Sequence, residues 1–208
     1  MTPTISYAIT VYNEITEIKK LISLLSVSKR EEDEVVVLMD SKGPDEVWEY
    51  LLSVEDELGS LNKEKFDNNF SNWKNLLTSY CSNDYIFNID ADEYPNMELM
   101  KVLPQILNTN LNIDMFYVPR VNLVEGLTEA HIKQWGWRVN EKTWVNWPDY
   151  QMRVYRNSNN IKWKNRVHEV LEGYDQFTTL PEAEEYALYH PKQIKRQEEQ
   201  NNFYATLG

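Results

Sequence analysis

The stretch that decides the fold is Tyr85-Ile86-Phe87-Asn88-Ile89-Asp90-Ala91-Asp92-Glu93-Tyr94-Pro95. Its first five residues are mostly aromatic and β-branched and read as a short strand, which stops at Asp90. A hydrophobic strand that ends in acids places carboxylates at the carboxyl edge of a parallel sheet, where open α/β folds bind their ligands. Two carboxylates in Asp-x-Asp spacing can share a divalent cation, and hard oxygen donors suit Mg2+ or Mn2+. Taken alone, the same residues also describe a solvated acidic turn that closes a strand.

The segments upstream supply the rest of such a sheet. Ile5 to Val11 is β-rich, Ile15, Ile18, Leu21, Ile22 and Leu25 recur at helical spacing, and Glu34 to Met39 is a nearly continuous apolar run. Apolar strands separated by a helix are what a parallel sheet buried on both faces requires. Further helices are expected near Pro44 to Leu58 and from Asn69 to Cys81. Another is expected over Met97 to Leu107, where Pro104 should kink or split it.

Downstream of that helix the periodicity changes. Short β-like runs are expected at Met115–Val118, Gln151–Tyr155, Ile161–Trp163, Val167–Leu171 and Glu185–Tyr189. Trp135, Trp137, Trp144 and Trp147 crowd an irregular segment, and from Pro191 the chain reads as polar helix, with little apolar face before Phe203 and Tyr204. Residues 1–208 therefore read as a single α/β domain whose first half (about 1–95) differs from a β-rich, aromatic second half (about 96–208). The polar end leaves room for further domains C-terminal to Gly208.

Composition narrows the function. The 208 residues carry 33 acidic against 21 basic side chains, a net charge of −12, with 42% hydrophobic and 12% aromatic residues. That content supports a packed core and argues against global disorder. The negative balance excludes duplex nucleic acid as the expected partner, because that affinity comes from Lys and Arg neutralising phosphates. An anionic ligand must be met locally, and a bound cation is a simple way to meet it. There are 6 glycines and no Gly-x-Gly-x-x-Gly or P-loop sequence, so a glycine-rich phosphate loop is excluded. Cys81 is the sole cysteine, which excludes an internal disulfide and reads as a packed thiol on a helix. The Met-Thr-Pro-Thr start lacks a leader pattern and no run reaches the roughly 18 apolar residues of a membrane span; a cytoplasmic protein without integral membrane association is the expectation.

Neighbouring residues exclude two other uses of the acids. An EF-hand loop needs oxygen ligands and a glycine where Tyr94 and Pro95 stand. Haloacid-dehalogenase-like phosphatases carry their Asp-x-Asp near the chain start, followed by Thr or Val where this chain has Tyr94.

Read in order, Tyr7-Ala-Ile-Thr-Val-Tyr-Asn-Glu14, Met39-Asp40-Ser41, Phe70-Ser-Asn-Trp-Lys-Asn75 and Asp90-Ala-Asp-Glu93 resemble the signatures of family 2 glycosyltransferases of the GT-A fold. Gln151-Met-Arg-Val-Tyr-Arg156, Arg166-Val-His-Glu169 and Tyr189-His-Pro-Lys192 are similar to one branch of that family. The resemblance spans roughly residues 5 to 200. It implies a mixed, mostly parallel sheet flanked by helices, and a metal-dependent enzyme that transfers a sugar from a nucleotide diphosphate sugar, UDP-sugar favoured, to a hydroxyl acceptor such as a glycan. It also implies that Thr10, Tyr12, Glu14, Asp40, Lys74, Asp90 and Ala91 line the nucleotide-sugar pocket. Lys74 stands where the family often has Arg, which gives up bidentate phosphate geometry. Asp90 and Asp92 would hold Mn2+ or Mg2+, joined by His190 from beyond the last strand, with His168 the competitor.

Transfer to a hydroxyl needs a base, and a carboxylate usually serves. Asp149, beside the tryptophans, is favoured over Glu169, and His168 completes the candidate catalytic group. Trp137, Trp147 and Arg153 are the expected acceptor contacts, since an aromatic face packs against the C–H face of a pyranose. Two other classes fit less well: a sugar nucleotidyltransferase, which would need a glycine-rich first loop, and a non-catalytic carbohydrate-binding module.

Overall fold

The computed structural model describes residues 2–207, with side chains at 200 and 202–207, including Phe203 and Tyr204, outside the described part. The chain begins β1 (Ile5–Val11), α1 (Ile15–Ser28), β2 (Glu34–Asp40), α2 (Asp45–Ser53), β3 (Ser60–Glu64), α3 (Phe70–Ser79) and β4 (Tyr85–Asp90). It continues through β5 (Tyr94–Pro95), α4 (Met97–Thr109), β6 (Met115–Val118), β7 (Arg120–Glu125), α5 (Glu129–Trp135) and β8 (Gln151–Arg156). It closes with β9 (Lys162–Lys164), β10 (Val170–Glu172), β11 (Phe177–Thr179), β12 (Leu188–Gln193) and α6 (Ile194–Leu207).

A seven-stranded sheet in the order β11-β6-β8-β4-β1-β2-β3 forms the centre. Every pairing in it is parallel except those of β8, which runs antiparallel to both β4 and β6. The apolar runs explain its two covered faces. Ile5, Tyr7 and Ile9 of β1, Val35, Val37 and Met39 of β2, and Tyr85, Phe87 and Ile89 of β4 join one core with residues of α1, α2 and α4. The alternate residues Ala8, Val36, Leu38 and Ile86 pack on the other face with Trp73 and Leu77 of α3 and with Trp163 and Leu171. This is the period-two alternation of a strand buried on both sides.

The order of strands also fixes where a ligand can enter. From β1 the chain winds outward to β2 and β3 on one side, whereas β4 pairs on the other, so a crevice opens at the carboxyl ends of β1 and β4. Register sets Thr10 beside Asp90 across that gap. A smaller sheet, β5-β12-β7, flanks the crevice, and β12 is parallel to β7.

Several local expectations are revised. Helix α4 runs unbroken through Pro104. Proline in a helix interior costs about 3 kcal/mol, but Leu99, Met100, Leu103 and Leu107 are all buried along the same face, and at roughly 1.5–3 kcal/mol each they outweigh it. Val167 and His168 lie in a bend, His168 at φ 53°, and only Val170–Glu172 of the expected run is strand. The final strand includes His190 and reaches Gln193, because its backbone pairs with β7, and the helix starts only at Ile194. The segment that reads as irregular contains α5, which Thr128 caps and Gly136 ends at φ 65°, a left-handed position that suits glycine.

Candidate active site

One cleft of about 1010 Å3 opens on the carboxyl edge of the sheet, lined by Thr10, Tyr12, Glu14, Asp40, Lys74 and the Asp90-Ala91-Asp92 turn, among others. Its β1 wall is built by Glu14, whose Oε2 accepts from the backbone N–H groups of Tyr12 and Asn13 at 2.8 and 3.0 Å. Tyr12, at the end of that wall, is 46% exposed. Asp40 ends β2; its Oδ1 accepts from the backbone N–H groups of Lys42 and Phe66 at 3.1 and 3.3 Å. Gly43 lets the two loops meet, since a Cβ there would collide with the Tyr12 carbonyl.

Beneath the cleft lies a chain of ion pairs. Asp90 Oδ2 accepts from Arg153 Nη2 at 2.6 Å, and its Oδ1 lies 3.9 Å from Lys74 Nζ. Burial tends to raise the Asp90 carboxyl, but Arg153 and Lys74 reverse this and hold it far below the usual carboxylate range. Lys74 is itself engaged: its Nζ is 2.7 Å from Glu169 Oε1 and 4.6 Å from the Trp163 ring centroid. Glu169 is lowered in turn, the Lys74 charge outweighing the burial that raises it. Arg153, expected among acceptor contacts, sits on the floor with its side chain 4% exposed. It spans Asn88 Oδ1, Asp90 and Glu93 at 3.3, 2.6 and 2.7 Å, because β8 pairs antiparallel beside β4 and carries its side chain under the acids.

Across the cleft, Asp149 is gripped by donors from β7. Its Oδ2 accepts from Arg120 Nε and Nη2 at 2.9 and 2.7 Å and from Asn122 Nδ2 at 2.7 Å. Among the described side chains its Oδ1 accepts from Gln151 Nε2 alone, at 3.0 Å. Burial raises the Asp149 carboxyl, but Arg120 and Asn122 overcome it and leave the group below its ordinary value. A carboxylate has about four lone-pair sites, so Oδ1 is the oxygen with capacity to accept a further proton. Trp137 and His168 also line this cleft. Trp147, by contrast, packs on the buried Trp144 with ring centroids 4.9 Å apart.

The donor set at Asp92 and His190 can be tested for a divalent cation. Asn122 Nδ2 donates to Asp149 Oδ2 and to the Val145 carbonyl, so its Oδ1 must face His190 Nδ1, 2.9 Å away. Nδ1 then carries a proton, and Nε2 points at Asp92 Oδ2 across 3.5 Å. Burial raises the Asp92 carboxyl, yet His190 and Arg196 more than compensate and hold it at about 2. Among the described residues no three His, Cys, Asp or Glu side chains are clustered to enclose a metal. One carboxylate and one imidazole could supply two ligands to a divalent cation, leaving substrate phosphates and water to complete the shell and Arg196, 3.4 Å from Asp92 Oδ2, to give way.

Side chains that sequence reasoning did not single out complete the site: Glu93, Arg120, Asn122 and Arg196. Arg196, from α6, reaches Glu14 Oε1 at 2.7 Å and Asp92 Oδ2 at 3.4 Å. Alternation in Arg120-Val-Asn-Leu-Val124 was the available signal, since Arg120, Asn122 and Val124 line the cleft while Val121 is buried.

A mostly parallel sheet with an acidic strand end at its switch point, flanked by a mixed subsheet, defines a GT-A-type fold. The chain matches the glycosyl transferase family 2 model over residues 6–173 and belongs to that family. The SPbeta prophage-derived glycosyltransferase SunS of Bacillus subtilis (strain 168) is 22% identical over 189 residues, covering 91% of this chain and 40% of that protein. The S. aureus TarS structure in complex with UDP matches with a TM-score of 0.65 at 14% identity, covering 90% of this chain and 60% of that one. The TarS complex with UDP-GlcNAc gives 0.65 at 16% identity, covering 92% and 59%. The chain thus spans about two-fifths of the curated relative it matches. Among the described residues no helix is long and apolar enough to cross a membrane.

Proposed function

We propose that this chain carries the donor-binding and transfer site of a metal-dependent glycosyltransferase acting on a nucleotide diphosphate sugar, UDP-sugar favoured, with a glycan or other hydroxyl as acceptor. The observation that carries this reading is the meeting of the β1, β2 and β4 ends around one cleft, with Asp149 on its opposite wall. Family membership supports it, and the UDP and UDP-GlcNAc complexes of TarS favour uridine. Residues up to about 95 form the nucleotide half and the remainder the acceptor half.

In this reading the exposed Tyr12 ring and Asp40 receive the base, and Thr10, Glu14 and the Asp90-Ala91 turn border the ribose. Asp92 and His190 would hold Mn2+ or Mg2+, which neutralises charge on the departing diphosphate. A cation would add positive charge that Lys74, Arg120 and Arg153, three of the basic residues lining the cleft, do not supply, since each is already paired with a carboxylate. Asp149 Oδ1 accepts the proton of the acceptor hydroxyl as its oxygen bonds to the anomeric carbon and the bond to the diphosphate oxygen breaks. Calorimetric titration with UDP, GDP and CMP, each with and without Mn2+, tests the binding part. UDP should bind tightest and only with metal, and Asp92→Ala should abolish the metal's effect; binding indifferent to both metal and Asp92 would refute it.

A further inference from the structure

Glu93 follows the two motif acids, yet it faces inward and its side chain is 0% exposed. A carboxylate so deeply buried is costly unless fully engaged, and its contacts show what engages it. Its Oε1 accepts from Arg153 Nη2 at 2.7 Å and from Arg120 Nη1 at 2.8 Å. Its Oε2 accepts from the Asp90 backbone N–H at 3.3 Å, while its own N–H donates to the Asp90 carbonyl at 2.8 Å. The two guanidinium groups meeting at Oε1 hold different walls of the cleft. Arg153 carries the Asp90 carboxylate, and Arg120 presents two further N–H groups to Asp149 Oδ2.

A guanidinium is planar and rigid, so fixing one of its nitrogens aims the others. We propose that Glu93 is a positioning residue for sugar transfer: by gripping Arg120 and Arg153 at one oxygen it sets the place of Asp149, on the acceptor wall, relative to Asp90, on the nucleotide wall. This rests on the reading of Asp149 as the base. Loss of the Glu93 charge unties Arg120 from Arg153, so Asp149, although still held by Asn122 and Gln151, loses its fixed distance from Asp90, while the Tyr12 and Asp40 surfaces that receive the base are untouched. The signature is a fall in kcat without a matching loss of nucleotide binding. Outer-shell partners that orient metal ligands typically contribute roughly 10–100-fold, and the same order is expected of a group that orients a reacting carboxylate.

The test measures UDP release from UDP-glucose and UDP-GlcNAc, with water as acceptor, for wild type, Glu93→Gln, Arg120→Lys, Asp149→Asn and the Glu93→Gln/Asp149→Asn double variant. UDP affinity is measured calorimetrically with Mn2+, and folded fraction by circular dichroism. Glu93→Gln should lower kcat per folded molecule roughly 10–100-fold and change UDP affinity less than about threefold. In the Asp149→Asn background the same substitution should cost less than about threefold, because effects through one partner do not add. Arg120→Lys, which keeps the charge but loses the fork, should reproduce the kcat loss and serves if Glu93→Gln fails to fold. An unchanged kcat per folded molecule, a loss confined to UDP binding, or a full loss persisting in the Asp149→Asn background would each overturn the proposal. If Asp149→Asn keeps the wild-type rate, or the wild type releases no UDP, the base reading fails and the coupling falls with it. A slow Asp149→Asn beside a normal Glu93→Gln overturns the coupling alone.

Discussion

Replacing Arg153 with methionine removes a cation whose side chain is 4% exposed and keeps most of its aliphatic volume, so the effect is electrostatic rather than a cavity. Breaking a buried pair by deleting one partner costs roughly 3–5 kcal/mol, because the remaining charge keeps its desolvation penalty. Two carboxylates are stranded, but neither completely. Glu93, 0% exposed, retains Arg120 at 2.8 Å, and Asp90, 34% exposed, retains Lys74 at 3.9 Å. The low end of the range therefore applies, about 3 kcal/mol. At about 2–4 °C per kcal/mol for a chain of this size, Tm should fall by roughly 6–12 °C. Urea unfolding followed by tryptophan fluorescence measures this against Lys101→Met, which removes a 67% exposed partner of Glu98 and should cost under about 0.5 kcal/mol. An Arg153→Met loss below about 1 kcal/mol, or equal to that of Lys101→Met, would refute the view that this arginine holds the acids in place.

Other consequences are equally direct. Asp149 is active as a base when deprotonated and its carboxyl lies below the ordinary range, so UDP release should lose its base only as pH falls below about 3.9; loss of activity with a midpoint near 6 or 7 that saturating Mn2+ does not shift would point to another base. Asp40→Ala should weaken UDP binding in Mn2+ about tenfold by calorimetry, since it removes a nearly buried acceptor from the pocket; unaltered affinity would exclude Asp40 from the base site. Burial, assisted by the Glu34 charge, pushes the Cys81 thiol up to about 12. Iodoacetamide at pH 8 should therefore modify it at least about 100-fold more slowly in the native protein than in urea, as judged by mass spectrometry.

The parts of the fold that could be read from sequence are those whose neighbours sit on both sides. β1, β2 and β4 are central strands buried on both faces and so appear as apolar runs. β3, Ser-Leu-Asn-Lys-Glu, is an edge strand beside β2 and shows no such run. β12 exists because β7 accepts it as a partner 60-odd residues away, and Pro191-Lys192-Gln193 carries no local sign of that pairing. At the site, strand-end acids announced themselves by ending apolar runs. Their partners were harder to read: Arg153 was legible as a site residue but in the acceptor role, and Arg120, Asn122 and Arg196 come from distant segments and meet the acids only through the fold. Pro104 does not split its helix for a related reason: tertiary burial of that helix outweighs the local penalty.

The most direct measurement of the central claim is UDP release from a panel of UDP-sugars by wild type and Asp92→Ala, in Mn2+ and in excess EDTA. Wild type should turn over in Mn2+, stop in EDTA and recover when Mn2+ is restored, while Asp92→Ala stays inactive in both. Equal turnover in EDTA and Mn2+, or an active Asp92→Ala, would contradict a metal-assisted transfer at the end of β4.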